Sequence, residues 1–427
     1  MEKSGIPPLL ATILSARGLT EPEQVHRLLT PGEEPLLDPM EMRDMETAVR
    51  RVTRALKGRE TIAVYGDYDV DGITSTCLLT DFLTRMGGRV LPYIPDRLEE
   101  GYGLNPEAVS HLAGQGVTLI VTVDCGITAA HEVELARELG IDVVVTDHHE
   151  CKQAVPKAAA VVDPRRPDCP YPFKGLAGVG VALKLAMAVA GPDRAAQVFR
   201  DYVDLAAVGT VADVMPMTGE NRTIVQAGLA ALAHPKRVGL VQLMEEAGLG
   251  DKPVTSVSIG YTLAPRINAA GRLGQAGLAM ELLLTRDPGR AAALAQELCA
   301  LNRERQAIEC DIFQECIQRL EQRPQAGIIL LADEHWHQGV VGIVASRLTE
   351  KYSCPAFMVC LDQGMGKGSC RSWGGINLFQ LLNQCQDLLE GFGGHALAAG
   401  FTVREENLAA LERRLRGLVL EEQAGQE

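Results

Sequence analysis

The chain has 427 residues, 46% hydrophobic and 22% charged, with a formal net charge of −14. That balance suits two or three globular domains with large cores, and no apolar run is long enough to span a bilayer. The acidic charge argues against nonspecific nucleic-acid binding through a basic surface, unless bound cations neutralise part of it or basic side chains gather in one groove.

The N-terminus, "MEKSGIPPLL", lacks a basic stretch followed by an apolar core, so no secretory signal is expected. Residues 1–60 show helical spacing, as in "MEMRDMETAVRRVTRALKG". Strand and helix patterns then alternate. "TIAVYGD" (61–67), "RVLPYIP", "TLIVTVDCG" and "DVVVTDHHE" read as strands. "TSTCLLTDFLTRMGG", "NPEAVSHLAGQG" and "AAHEVELARELG" read as helices between them. Apolar strands separated by helices of this length predict an α/β fold with a parallel sheet covered on both faces. Residues 175–235 read as mostly helical, and one long helical pattern covers 277–322 and ends at "RPQAG". A second strand–helix–strand series follows, "GIILLAD", "GVVGIVASRLTEKY" and "PAFMVCLD", and the final "EEQAGQE" reads as a fraying tail. The expected organisation is an N-terminal helical extension (1–50), a catalytic domain (51–276), a connector helix (277–322) and a smaller α/β domain (323–427). Eleven scattered cysteines without a C-x-x-C pair argue against a disulfide framework or a cysteine zinc site and point to a reducing, cytoplasmic setting.

In a parallel sheet, ligands bind beyond the carboxyl ends of the strands. Here one strand ends in "DYDVDG", with Asp67, Asp69 and Asp71. A second ends in Asp124, and a third in Asp147, His148 and His149. Each feature has a plain structural reading: a D-x-D turn, a helix-capping aspartate, a satisfied histidine pair. "DYDVDG" could also open a calcium loop, but position 12 of such a loop is Leu78 rather than glutamate. The separate readings weaken because all three features fall at the same topological place. Clustered carboxylates raise one another's pKa values, and a divalent cation removes that conflict. Oxygen ligands with one or two imidazoles suit Mn²⁺ or Mg²⁺, and Zn²⁺ is compatible. Two ions about 3.5–4 Å apart would clamp an in-line phosphoryl displacement. Asp213, after the small-residue run "DLAAVGTVA", is a further candidate or a helix-end aspartate. "GLAGVGVALK" fails the G-x-G-x-x-G spacing and reads as close helix packing.

Together these segments resemble the DHH phosphoesterase superfamily and, within it, the RecJ exonuclease family. The resemblance is carried by "VYGDYDVDGITS", "VTVDCG", "VTDHHE", "GLAGVGVALKLA", "VGTVADVMPM", "APRINAAGRLG", "HWHQGVVGIVASRL", "GSCRS" and "GFGGHALAAGF", in the family's order. It implies a DHH catalytic domain joined by a long helix to a smaller DHH-associated domain. It implies that Asp69, Asp71, Asp124, His148 and Asp213 coordinate two divalent cations, Mn²⁺ or Mg²⁺, with Asp124 bridging. Asp67 holds the family's first-motif position among the catalytic residues. His149 would contact the scissile phosphate or assist proton transfer, and Asp147 would orient the histidine pair. A water activated by the metals would release 5′-mononucleotides from single-stranded DNA in the 5′→3′ direction, in DNA repair and recombination. Ser369, Arg371 and Arg97 would surround a 5′-phosphate. Arg266, Asn268 and Arg272 would contact the backbone, as would Gly393, Gly394 and His395. Partners implied are single-stranded DNA and, beyond it, a single-strand-binding protein or helicase, with no membrane. Longer members continue into an OB fold that grips single strands. No such barrel pattern follows "GGHALAAGF" here, so a compact form or a truncated chain is expected. That feature keeps an alternative, hydrolysis of short oligoribonucleotides or cyclic dinucleotides.

Overall fold

The computed structural model describes residues 6–30, 36–151, 154–250, 252–322 and 327–424. These form two compact units, divided between Cys299 and Ala300.

The first unit opens with helices α1 (Pro8–Ala16), α2 (Pro22–Leu29) and α3 (Met45–Gly58). Alternation follows: β1 (Thr61–Tyr65), α4 (Val70–Arg85), β2 (Arg89–Tyr93), α5 (Pro106–Gly114), β3 (Val117–Val123), α6 (Ala130–Glu138), β4 (Asp142–Thr146) and β5 (Ala160–Val162). All five strands are parallel, in the order β2-β1-β3-β4-β5. The strands are rich in valine and isoleucine because both faces are covered and β-branched side chains suit a pleated, packed surface. Ala63, Tyr65, Ile120, Val143 and Val145 share one core with Val109 and Leu112 of α5 and Val133 of α6. The intervening residues Ile62, Val64, Leu119, Val121 and Val144 are equally buried. Because the chain moves outward from β1 to β2 and then returns to β3 on the other side, the β1/β3 junction is a switch point, where a crevice opens beyond the strand ends.

Helices α7 (Gly178–Ala190), α8 (Pro192–Ala212), α9 (Gly219–Leu232) and α10 (Val238–Glu246) fill the region expected to be helical. A single turn, α11 (Ser256–Ser258), passes through a π-helical stretch at Ile259–Leu263 into α12 (Ala264–Arg272), followed by α13 (Ala276–Leu284). The pattern expected as one helix over 277–322 is broken: α13 ends at Leu284 and α14 runs Pro288–Gln322. Proline disfavours helix at the residue before it and suits the first helical position. Asp287 Oδ1 accordingly accepts the amides of Gly289 and Arg290 and starts a new helix.

The second unit holds a mixed sheet of β6 (Ile329–Asp333), β7 (Ala356–Asp362), β8 (Met365–Arg371), β9 (Leu389–Gly394) and β10 (Ala398–Arg404), in the order β6-β7-β8-β10-β9. Only β6 and β7 are parallel. On one face Val340, Val344 and Leu348 of α15 (Gln338–Tyr352) pack with Ile312 and Cys316 of α14. On the other, Leu378 and Leu381 of α16 (Leu378–Asn383) join Leu411, Leu415 and Val419 of α17 (Leu408–Ala424). Helix α17 runs through the first residues of the tail expected to fray; the tail's last three residues and most of the "RPQAG" turn lie outside the described residues. Among the described residues, no helix is long and apolar enough to cross a membrane.

Candidate metal and phosphate site

The ends of β1, β3 and β4, three neighbouring strands, deliver the candidate ligands to the switch point. Beyond β1, Asp69 caps α4, its Oδ1 accepting the Gly72 amide at 3.0 Å. Asp71 lies in the first turn of that helix and is 1% exposed. Its two oxygens accept the amides of Gly178 and Val179 at 2.7 and 2.8 Å, so the start of α7 holds this carboxylate. Helix N-termini carry free amides and a positive dipole end, which suits an anion. Beyond β3, Asp124 adopts a left-handed backbone (φ 61°), a conformation aspartate tolerates better than most residues. Asp213 ends α8.

These groups converge on one ring nitrogen. His148 Nε2 lies 3.0 Å from Asp124 Oδ1, 3.7 Å from Asp213 Oδ2 and 3.8 Å from Asp71 Oδ2. Three overlapping sets of donor atoms could each hold a metal ion: Asp67, Asp69 and Asp124; Asp71, His148 and Asp213; Asp124, His148 and His149. Asp67 is thus grouped with Asp69 and Asp124.

The electrostatics are those of a site built for cations. Burial, reinforced by neighbouring carboxylates, pushes Asp67, Asp71 and Asp124 well above the usual carboxylate range. Burial and Asp69 raise Asp213 to about 7. Burial, then the neighbouring His149, lowers His148 to about 3, so its ring is neutral and free to act as a ligand. Asp67 Oδ1 and Asp124 Oδ1 are buried without a hydrogen-bond partner among the described residues. Buried acceptors are rarely left unpaired, and a divalent cation satisfies them while relieving the repulsion. The donor set therefore fits Mn²⁺ or Mg²⁺.

The two histidines separate sharply. Asp147 is fully buried. Its Oδ1 accepts the amides of His148 at 2.7 Å and His149 at 3.1 Å and faces His149 Nδ1 at 2.8 Å, while Oδ2 accepts the Ile127 amide at 2.9 Å. Burial works against charging His149, but the hydrogen bond and charge of Asp147 outweigh it and raise the ring to about 9. In return, and again against burial, His149 holds Asp147 at about 2. His149 is therefore a cation at neutral pH beside a neutral His148.

Other expected residues fall into place unevenly. The Arg97 guanidinium lies over the Tyr68 ring at 4.9 Å, above the loop that carries Asp67 and Asp69. Asn268 Oδ1 accepts the Val70 amide at 3.2 Å, and a Cβ on Gly271 would lie 2.1 Å from the Tyr68 carbonyl oxygen. "RINAAGR" thus clamps the "DYDVDG" loop. Arg266 donates to the Thr262 carbonyl at 2.6 Å and to Cys299 Sγ at 3.2 Å. Arg272 lies at the end of α12. In the second unit, Ser369 and Arg371 occupy one face of β8, joined by a 3.2 Å hydrogen bond, and Gly342 of α15 makes room for both. Gly393 and Gly394 end β9, and His395 opens the turn into β10, its amide donating to the Ala398 carbonyl at 2.8 Å. Gly394 (φ 130°) has no space for a Cβ against that carbonyl, so the hairpin itself requires this glycine.

Three contributors escape sequence reading. Tyr102 places its hydroxyl 3.3 Å from His149 Nδ1 and 3.4 Å from the Asp124 carbonyl oxygen. Asp163 follows β5, fully buried, and burial raises it to about 7; "AVVDP" repeats the apolar-then-aspartate pattern of the other strand ends, but over too few residues to stand out. The amides of Gly178 and Val179 carry no side-chain signal at all.

The DHH family, N-terminal domain, matches residues 61–210, and the DHHA1 domain matches 325–421. The single-stranded-DNA-specific exonuclease RecJ of Bacillus subtilis (strain 168) is 43% identical over 97% of this chain and 52% of its own length. RecJ of Escherichia coli (strain K12) is 37% identical over 97% of this chain and 75% of its own. The chain therefore spans about half of the first relative and three quarters of the second. A crystal structure of exonuclease RecJ bound to manganese superposes with a TM-score of 0.78 at 40% identity, over 90% of this chain and 96% of that one. RecJ of Thermus thermophilus in complex with Mn²⁺ gives 0.82 at 37% identity, over 97% of this chain and 62% of that one. With a relative 39% identical of which it covers 75%, and with both domains matched, the chain belongs to the RecJ family of DHH phosphoesterases.

Proposed function

We propose that this chain is a divalent-metal-dependent phosphodiesterase that removes 5′-mononucleotides from single-stranded DNA in the 5′→3′ direction. The observation that carries the reading is the convergence of Asp71, Asp124 and Asp213 on His148 Nε2. It is supported by the relatives, named single-stranded-DNA-specific exonucleases, and by RecJ structures in complex with Mn²⁺ and Mg²⁺.

Asp69, Asp71, Asp124, His148 and Asp213, with Asp67 beside them, would hold two such cations. When bound, these lower the pKa of a coordinated water and neutralise charge on the phosphoryl group. The chain's own residues do the remainder. Asp71, fixed by two α7 amides, keeps its ligand geometry without solvent. His149, charged through Asp147, offers its ring to a non-bridging phosphate oxygen or gives a proton to the departing 3′-oxygen. In the second unit Ser369 and Arg371 would recognise the 5′-phosphate with charge-assisted hydrogen bonds, and in the first unit Arg97 would be a phosphate-contacting cation. Arg266, Asn268, Arg272, Gly393, Gly394 and His395 follow the backbone. The domain assignment proposed is catalytic for 51–276, connecting for 277–322 and substrate-binding for 323–427.

The test is hydrolysis of end-labelled single-stranded DNA in Mn²⁺. Mononucleotides should appear from a phosphorylated 5′ end, be lost in Asp124→Asn, and slow in Arg371→Ala mainly through KM. Trimming from the 3′ end alone would refute the polarity. Faster turnover of two-to-five-nucleotide RNA than of long DNA would assign the site to short oligoribonucleotides.

A further inference from the structure

The far end of α4 borders a second concavity. A cleft of about 770 Å³ opens between α8, α9, the turn before α10 and the turn after α13. Asp71 stands at the first turn of α4 and Arg85 at its last residue, roughly 21 Å apart at about 1.5 Å per residue, so this cleft is separate from the carboxylate cluster.

Its charge is opposite to that of the chain. Arg85, Arg200, Lys236, Arg237 and Arg286 face it, against three aspartates, in a protein of net charge −14. The aspartates are already engaged. Asp81 pairs with Arg85 at 2.8 Å and Arg286 at 3.3 Å and accepts the Tyr202 hydroxyl at 2.8 Å. Asp201 accepts from Gln197, and Asp204 from the Leu205 amide. Lys236 has no ion-pair partner among the described residues. Among the described residues Arg237 Nε is buried without a hydrogen-bond partner, 3.5 Å from Asp204 Oδ2, while its Nη1 donates to the Leu283 carbonyl at 3.3 Å. The guanidinium groups of Arg85 and Arg237 both lie over the Tyr202 ring, at 5.9 and 6.0 Å from its centroid. The wall beside the cations is apolar, with half-buried Phe199 next to small alanines of α9.

We propose that this cleft binds a free nucleotide, its phosphoryl groups on Lys236, Arg237 and Arg200 and its base against Phe199. Guanidinium forks match phosphate oxygens. The volume is that of a small-ligand site, about 300–1,000 Å³. An apolar wall joined to a compact cationic end suits a base with its phosphates better than a continuous strand, which needs a row of cations along its backbone.

Calorimetric titration with ATP in EDTA tests this, because without divalent ions the carboxylate cluster repels phosphate and any heat belongs elsewhere. ATP should bind saturably. Lys236→Glu should weaken it at least tenfold while leaving DNA hydrolysis in Mn²⁺ intact. Phe199→Ala should weaken ATP but not inorganic triphosphate. No saturable binding at millimolar ATP, or binding indifferent to Lys236→Glu, overturns the proposal. Competitive displacement of ATP by short single-stranded DNA overturns it as well and assigns the cleft to nucleic acid.

Discussion

Gly178 stands so close to Asp124 that a Cβ on it would lie 2.6 Å from the Asp124 Cβ. The same residue donates its amide to Asp71. One glycine therefore sets the spacing between two candidate metal ligands, one in the first turn of α4 and one beyond β3. Gly178→Ala should force α7 outward, with an overpacking penalty of about 1–3 kcal/mol and a loss of DNA hydrolysis larger than the loss of stability explains. Thermal unfolding and single-turnover hydrolysis measure the two effects. A variant with normal turnover would show that α7 does not position the carboxylates.

Asp147 faces the His149 ring and accepts the amides of His148 and His149, so it fixes the backbone and protonation of the histidine pair. Asp147→Asn retains one acceptor oxygen but removes the negative charge. Activity should fall about 10–100-fold, as for other groups that orient ligands. The His149 ring, followed by NMR, should drop from about 9 toward the ordinary histidine range. A ring that still titrates near 9 would assign its charge to another cause.

The carboxylate cluster should make metal-free protein more stable in mild acid than in base. Asp67, Asp71, Asp124 and Asp213 all have folded pKa values raised above those of the unfolded chain. The folded state thus binds their protons more tightly, and stability falls as pH rises from about 4 through the folded values. His148, held at about 3, opposes this as a single group, and Asp147 changes only below the tested window. Between pH 5 and 8 the melting temperature without metal should therefore decline. Mn²⁺ at a hundredfold excess over its Kd should restore about 2.7 kcal/mol at pH 8, and Asp124→Asn should lose most of that response. A metal-free protein that gains stability toward pH 8 would contradict the assignment.

Lys184 is a separate case, since it supports the fold rather than the site. Its fully buried ammonium pairs with Glu220 and donates to the Leu37 carbonyl at 2.6 Å. Glu220 accepts the Leu37 amide at 2.9 Å and the Tyr171 hydroxyl at 2.5 Å. Lys184→Met strands a buried carboxylate and should destabilise by about 3–5 kcal/mol in urea unfolding. Adding Glu220→Gln should recover part of that loss. Additive losses in the double variant would show that the two residues do not act as a pair.

Much of the catalytic unit was legible because parallel strands buried on both faces are written as apolar runs, and their ends as abrupt polar residues. "VVVTDHHE" announced β4 and the groups beyond it. The break at Asp287 was masked by apolar spacing that continues across Pro288. The role of "RINAAGR" was also hidden: Asn268 and Gly271 grip a loop some 200 positions earlier in the chain, and no local pattern encodes such a distance. Lys184 read as one position in a close-packing helix, because its partners Leu37 and Glu220 lie on either side of it in sequence.

The sequence by itself determined which chemistry was available: carboxylates and imidazoles at three strand ends, in an order that identifies the family. Those are properties of residue type and short-range periodicity. Only the tertiary structure decided how the groups divide the work. It placed β1, β3 and β4 side by side, aimed the α7 amides at Asp71, and left His148 neutral while Asp147 charges His149. It also gathered five cations from α4, α8 and two turns into one cleft of an acidic protein. Each of these outcomes depends on burial and on distances across the fold, which set the strength of a charge or hydrogen bond and are absent from any single stretch of chain.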